Sequence, residues 1–267
     1  MKQTCVDSSL YINVASYWLR LEIADNQLHD LVLSEYFVDL APPLMDLVGH
    51  ISVVCIGPNL VYSLKQGKQK KLTISIPKEK SMGIKEFLLL GFIELCLIGK
   101  NVFALHGSCL YKNKKLFMFI GPSGSGKTTI MRLLKAKNIL SDDTIIIKYD
   151  NKRFSVYSSP FDKENGVKLA NVRKASPINI FLLTQSSSND VVTLDLKDKM
   201  TLFRENFNFF RHLDYFINKV NRFSEKKYIR LLHSFALLLA KKSRIQRLMF
   251  NLKLNSFILN KLDKGSN

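Results

Sequence analysis

Apolar residues recur along this chain with two different periods. Over residues 1–80 they fall in short alternating or continuous stretches, Tyr11 to Ile23, Leu47 to Tyr62 and Lys71 to Ile76. Such stretches predict strands, because a strand turns successive side chains to opposite faces. Pro42-Pro43 and Gly67 punctuate them as turns. Residues 81–100 change character: Ser81 is placed to cap a helix whose body is almost wholly apolar, the pattern of a helix buried between layers. Strand character returns at Val102 to Leu110. Lys112-Asn113-Lys114-Lys115 is a polar turn into the apolar run Leu116 to Ile120, so the two runs predict a hairpin.

Helical spacing follows. Ile130, Leu133 and Leu134 stand at i, i+3 and i+4, predicting a helix from about Gly126. The short run Ile139-Leu140 ends at Asp142-Asp143. Thr144 to Lys148 and Arg153 to Tyr157 predict strands around the turn Asp150-Asn151-Lys152, and Ser159-Pro160-Phe161 breaks the pattern. Ile178 to Thr184 and Val191 to Leu194 predict strands around the polar loop Gln185 to Asp190. From Lys197 on the pattern is helical, over about 199–211, 213–221 and 225–240, with a basic tail after. The fold class that follows is α/β: a smaller β-rich domain over 1–80, and a second domain over 81–267 with a helical C-terminal part from about 197.

The most specific chemistry lies between the hairpin and the helix. Gly121-Pro122-Ser123-Gly124-Ser125-Gly126-Lys127-Thr128 fits G-x-x-x-x-G-K-[ST], the phosphate-cradling P-loop. Gly121, Gly124 and Gly126 permit backbone conformations that a Cβ forbids. The loop can therefore turn its N–H groups inward as an anion nest, with the following helix start facing the same phosphates. Lys127 is placed to reach the β and γ phosphates, the Thr128 hydroxyl to take a Mg²⁺ position, and Thr129 to complete the nucleotide-binding stretch. A strand before and an amphipathic helix after are the context that separates a P-loop from a flexible Gly/Ser turn.

Composition narrows the classes. The chain has 267 residues, 46% of them hydrophobic, enough for a substantial core. Cys5, Cys55, Cys96 and Cys109 are widely spaced, which argues for free thiols rather than a disulfide or metal framework and suits a cytoplasmic setting. No basic-then-apolar layout opens the sequence. The longest apolar run, Phe87 to Gly99, is interrupted by Glu94 and is too short to span a bilayer, so no membrane partner is expected. Residues 1–100 carry equal numbers of basic and acidic residues, so the formal charge of +18 falls on residues 101–267. That half attracts anions, whether through function or through the chain's general richness in Lys, Asn and Ile. The basic residues lack the interleaved aromatics of a stacking platform, so nucleic acid is not the expected partner. Self-association is left open.

A P-loop specifies nucleotide, not reaction. Its informative neighbour is Asp142-Asp143, where one carboxylate can hold Mg²⁺ while the other addresses an acceptor, the two roles that phosphoryl transfer requires. The bland alternative is a solvated acidic turn. His106, on the partner strand of the hairpin, is a candidate catalytic residue by its closeness to the loop. Arg153, Arg173 and Lys174 are candidate cations for transition-state charge, with surface solvation the default for each, and His29 and His50 read as structural or solvated. Neither H-R-D nor D-F-G occurs, which excludes a eukaryotic-type protein kinase.

Taken in order, Leu105-His106-Gly107-Ser108, Gly121 to Thr128, Leu140-Ser141-Asp142-Asp143 and Ser159-Pro160-Phe161 resemble the HPr serine kinase/phosphorylase family. The resemblance is closer to the shorter HPr-kinase-like proteins of lasso and other modified-peptide biosynthesis, and it covers about 105–185. It implies a P-loop nucleotide-binding domain of the phosphoenolpyruvate-carboxykinase-like type that uses ATP and Mg²⁺ to phosphorylate a serine hydroxyl of a peptide or protein. Position by position it implies Lys127 and Thr128 as the P-loop lysine and hydroxyl, Asp142 as catalytic base, Asp143 as a metal-holding neighbour, and His106 beside the base. Two departures stand out: residue 129 is Thr where the HPr enzymes usually carry Glu, and Phe161 to Lys174 contains no counterpart of their glycine-rich dephosphorylation signature. The expected acceptor is thus a serine in a ribosomal precursor peptide. The alternatives are an HPr-type metabolic regulatory kinase and a non-catalytic binding module switched by ATP.

Overall fold

The computed structural model describes residues 9–36, 38–40, 47–54, 61–65, 70–75, 89, 93, 100–112, 115–134, 139–161, 173–174, 178–206 and 225–251. The protein is mixed α/β, with its core built mainly from two β-sheets. The smaller sheet has β1 (Leu10–Val14), β2 (Tyr17–Ile23), β3 (Val38–Asp39), β4 (Leu47–Val54), β5 (Val61–Lys65) and β6 (Lys70–Ser75), in the order β3-β1-β2-β4-β6-β5. Ala15 and Ser16, with φ of 53° and 69°, make the tight turn between β1 and β2. Positive φ at both central residues suits the twist of a hairpin.

Helix α1 (Asn26–Glu35) interrupts a region whose pattern predicts strands alone. Its signals are present in the sequence: the Asp25 carboxylate accepts from Leu28 N–H at 2.9 Å as an N-cap, and Leu28 and Val32 bury at i, i+4. His29 is buried on the same helix, in line with a structural role.

The larger sheet contains β7 (Val102–Lys112), β8 (Lys115–Ile120), β9 (Ile139–Ser141), β10 (Thr144–Asp150), β11 (Arg153–Tyr157), β12 (Arg173–Lys174), β13 (Asn179–Gln185), β14 (Asp190–Thr193) and β15 (Arg244–Phe250). Its order is β12-β11-β10-β7-β8-β13-β15-β14, with β9 also on β7. The expected β7–β8 hairpin is present in antiparallel register, whereas β8, β13 and β15 run parallel. The helices between are α2 (Lys127–Leu133), α3 (Leu196–Asn206) and α4 (Glu225–Lys242). The tail expected after residue 240 differs from its basic composition: Ile245, Leu248 and Phe250 are buried, and residues 244–250 form β15. The expected helix over 213–221, the Ser81 cap and the sequence beyond 251 lie outside the described residues. Within the predicted 81–100 helix, Leu89 and Ile93 are helical and buried.

Two apolar layers explain the continuous runs of the larger sheet. Leu116, Met118 and Ile120 of β8 enter one layer, while Phe117 and Phe119 enter the other. A strand buried on both faces has no polar side to alternate with. The layer with Phe117 and Phe119 also holds Ile130, Met131 and Leu134, so α2 covers that face. The opposite layer holds Leu232, Phe235, Ala236, Leu239 and Ala240 of α4 together with Leu10, Ile12, Leu19 and Leu21 of the smaller sheet. Phe235 stacks on Phe103 at 3.7 Å between centroids and meets Phe154 edge-on at 5.7 Å. Lys148 Nζ lies 4.7 Å from the Tyr17 ring, joining the two sheets at the surface. Among the described residues no helix is long and apolar enough to cross a membrane.

Candidate active site

Strand β7 positions everything in the site. On one side Gly107 stands opposite Ile120, the last residue before the P-loop. On the other side His106 stands opposite Thr144 of β10, and Cys109 opposite Ser141 of β9. Between β9 and β10 the chain leaves the ladder for Asp142 and Asp143. Gly107 N–H donates to Asp143 O at 2.8 Å, which fixes this bend against β7. The acidic bend and the exit of the P-loop strand are therefore two strand spacings apart, about 10 Å.

Alternation decides the face. Ser108 is directly opposite Phe119, and Leu110 opposite Phe117. Phe119, Phe117 and Leu110 belong to the layer under α2. His106 and Ser108 have the same parity on β7 as Leu110, so they project to the side that carries the P-loop helix.

The loop itself is tightly built. A Cβ on Gly121 would stand 2.6 Å from Ser125 Oγ, 3.0 Å from Ser125 Cβ and 3.3 Å from Leu183 O, so any other residue would force the loop to shift. Gly124 and Gly126 take positive φ, 78° and 99°. Ser125 N–H donates to Pro122 O at 3.1 Å and closes the turn. Lys127 is buried, and its Nζ donates to Gly121 O at 2.9 Å and Pro122 O at 3.0 Å, so the cation lies across the start of the loop. Ser125 Oγ is buried without a hydrogen-bond partner. Pro122, Ser123, Gly124 and Thr128 are exposed, and Thr129 is half-buried. From the end of β13, Gln185 Nε2 donates to Gly124 O at 2.7 Å and ties down the tip of the loop.

The two carboxylates have different holders. Asp143 Oδ1 is 3.2 Å from His106 Nδ1, and Thr144 Oγ1 donates to Asp143 Oδ2 at 3.4 Å. Asp142 accepts from the fully buried Ser108 hydroxyl, at 2.7 Å on its peptide oxygen and 3.1 Å on Oδ1. The resemblance sets His106 beside the base Asp142; in the structure its Nδ1 lies 3.2 Å from a carboxylate oxygen of Asp143. Ser159 N–H donates to Leu140 O at 3.0 Å, which brings Ser159-Pro160-Phe161 alongside the strand leading into the bend.

The P-loop, His106, Asp142 and Asp143 are thus gathered around one glycine of β7. Arg153 is not: it pairs with Asp150 at the far end of β10, and β12 with Arg173 and Lys174 meets the middle of β11. Ser108 and Gln185 carry site contacts that sequence spacing could not reveal, since their partners are 34 and 61 residues away. Among the described residues no group of three or more His, Cys, Asp and Glu side chains could cage a metal. A site that holds Mg²⁺ with one or two carboxylates and the phosphates of a nucleotide does not need such a cage. Thr128 and Asp143 are both exposed and carry oxygen donors of the hard kind that such a site uses. Comparison with protein-family models and with curated proteins gives no match.

Proposed function

We propose that this protein is an ATP-dependent serine kinase. The observation that carries the proposal is the Asp142–Asp143 bend held against Gly107, beside the P-loop exit and on the α2 side of the sheet. The phosphoenolpyruvate-carboxykinase-like type of fold belongs to the same reading. The P-loop amides and Lys127 bind and orient the β and γ phosphates. Thr128 and Asp143 would hold Mg²⁺, which would offset phosphate charge. Asp142 accepts the proton of the acceptor serine while the serine oxygen bonds the γ-phosphorus and the bond to the departing ADP oxygen breaks. His106 orients Asp143. The family resemblance supports a serine of a ribosomal, lasso-type precursor peptide as acceptor.

ATP is preferred on the resemblance and not for want of a guanine motif. Asn260-Lys261-Leu262-Asp263 fits the N-K-x-D pattern of guanine specificity and lies outside the described residues. The test is transfer of γ-labelled phosphate from ATP or GTP to a precursor peptide and to HPr. Asp142→Asn keeps the shape and removes the proton acceptor, so it should retain ATP binding and lose about 10²–10⁴-fold in transfer. Asp143→Asn should raise the Mg²⁺ concentration needed. Near-normal transfer by Asp142→Asn overturns the assignment of the base, and ATP binding with no labelled acceptor favours the switched binding module.

A further inference from the structure

His106 and Ser108 are alternate residues on β7 and share a face, and each reaches one of two consecutive carboxylates. The first holder is a histidine with a carboxylate partner, a familiar pair. The second is less expected: a serine with no exposed surface, at the centre of a sheet, facing a layer of phenylalanine and leucine. Its hydroxyl has a single proton and meets two oxygens of one residue, the peptide oxygen and Oδ1 of Asp142. A donor shared between the main chain and side chain of the same aspartate fixes that side chain's torsion as well as its position.

We propose that Ser108 is the positioning residue for Asp142: through its shared hydrogen bond it holds the carboxylate in one orientation over the site. The inference rests on the reading of Asp142 as the base. A base is effective only within hydrogen-bond reach of the proton it takes, and misplacement by an ångström is costly. Ser108 faces an apolar layer, so its hydroxyl is the chemically distinctive feature at this strand position.

The experiment is a double-mutant cycle on the full chain: parent, Ser108→Ala, Asp142→Ala and the double variant, with Ser108→Thr as the conservative rescue. Ser108→Cys fills the same space with a weak donor and takes the place of alanine if that variant does not fold. Transfer kinetics are measured with saturating Mg²⁺, and denaturant unfolding in magnesium-free buffer. Ser108→Ala should lower kcat about ten- to a hundred-fold, the scale of a hydrogen bond to a charged group, and leave KM for ATP within about twofold. It should lower kcat no further in the Asp142→Ala background, Thr should restore it, and the two substitutions should be non-additive in unfolding. Parental kcat in Ser108→Ala or Ser108→Cys, a full additional loss in the double variant, or strictly additive unfolding overturns the proposal. A parent that transfers no phosphate removes the kinase reading, while the unfolding cycle still decides whether Ser108 holds Asp142.

Discussion

Gly107→Ala is the perturbation that most directly tests how the site is assembled. A Cβ at this position would lie 2.7 Å from Phe119 O and 3.0 Å from Ile145 Cδ1. The isoleucine contact can relax by a small side-chain rotation. The carbonyl cannot, because it belongs to the backbone of β8 one strand away. Ordinary contact begins near 3.4 Å, so β7 and β8 must separate locally by roughly 0.7 Å. Ladder hydrogen bonds of about 2.9 Å do not survive such a stretch intact. Overpacking of this kind costs about 1–3 kcal/mol. For a chain near this size that corresponds to a fall in Tm of roughly 2–12 °C. Gly107 also bonds Asp143 O, so the strand that moves carries the acidic bend with it. The transfer rate should therefore fall more than ATP affinity, which depends on the loop beyond Ile120. Differential scanning calorimetry and ATP titration of the variant make the comparison. A Tm within a degree of the parent, with unchanged transfer, would refute the claim that β7 sets the spacing between loop and bend.

Lys127→Ala removes a cation aimed at phosphate charge and should weaken ATP binding by about one to two orders of magnitude; equal affinity by calorimetry would end the P-loop reading. Gln185→Ala removes a neutral hydrogen bond to Gly124 O, on the order of 0.5–1.5 kcal/mol, so ATP affinity should fall about two- to tenfold with kcat little changed; no change in affinity would mean that the tip needs no tie. Burial pushes the Cys109 thiol well above its ordinary value of 9.0. The folded state thus keeps it neutral, and its contribution to stability is complete below that value and declines as pH rises above it. Iodoacetamide should label Cys109 only as fast as the protein unfolds, and rapid labelling seen by peptide mapping would contradict its burial.

The sequence alone determined what depends on neighbours along the chain. The P-loop pattern was legible because its glycines, lysine and hydroxyl lie within eight consecutive residues, and the β7–β8 hairpin because its turn and registers are local. Helix α4 was legible from its period, which matches the buried set Leu232, Phe235, Ala236 and Leu239. Helix α1 carried an N-cap and an i, i+4 pair, yet ten residues among strands gave the helical period little length in which to show. Strand β15 reads as part of a basic tail because Lys241, Lys242, Arg244 and Arg247 fall close together, while its burial comes from parallel pairing with β13, some 65 residues earlier. The candidate site divides in the same way. Asp142 and Asp143 were visible as a pair, but their separate holders were not. That Ser108 meets Asp142 and His106 meets Asp143 follows from the register between β7 and the β9–β10 bend, a long-range pairing that no local spacing encodes. Tertiary structure alone decided which carboxylate each partner holds, because a strand's alternation specifies a face and only its neighbour specifies what stands on it.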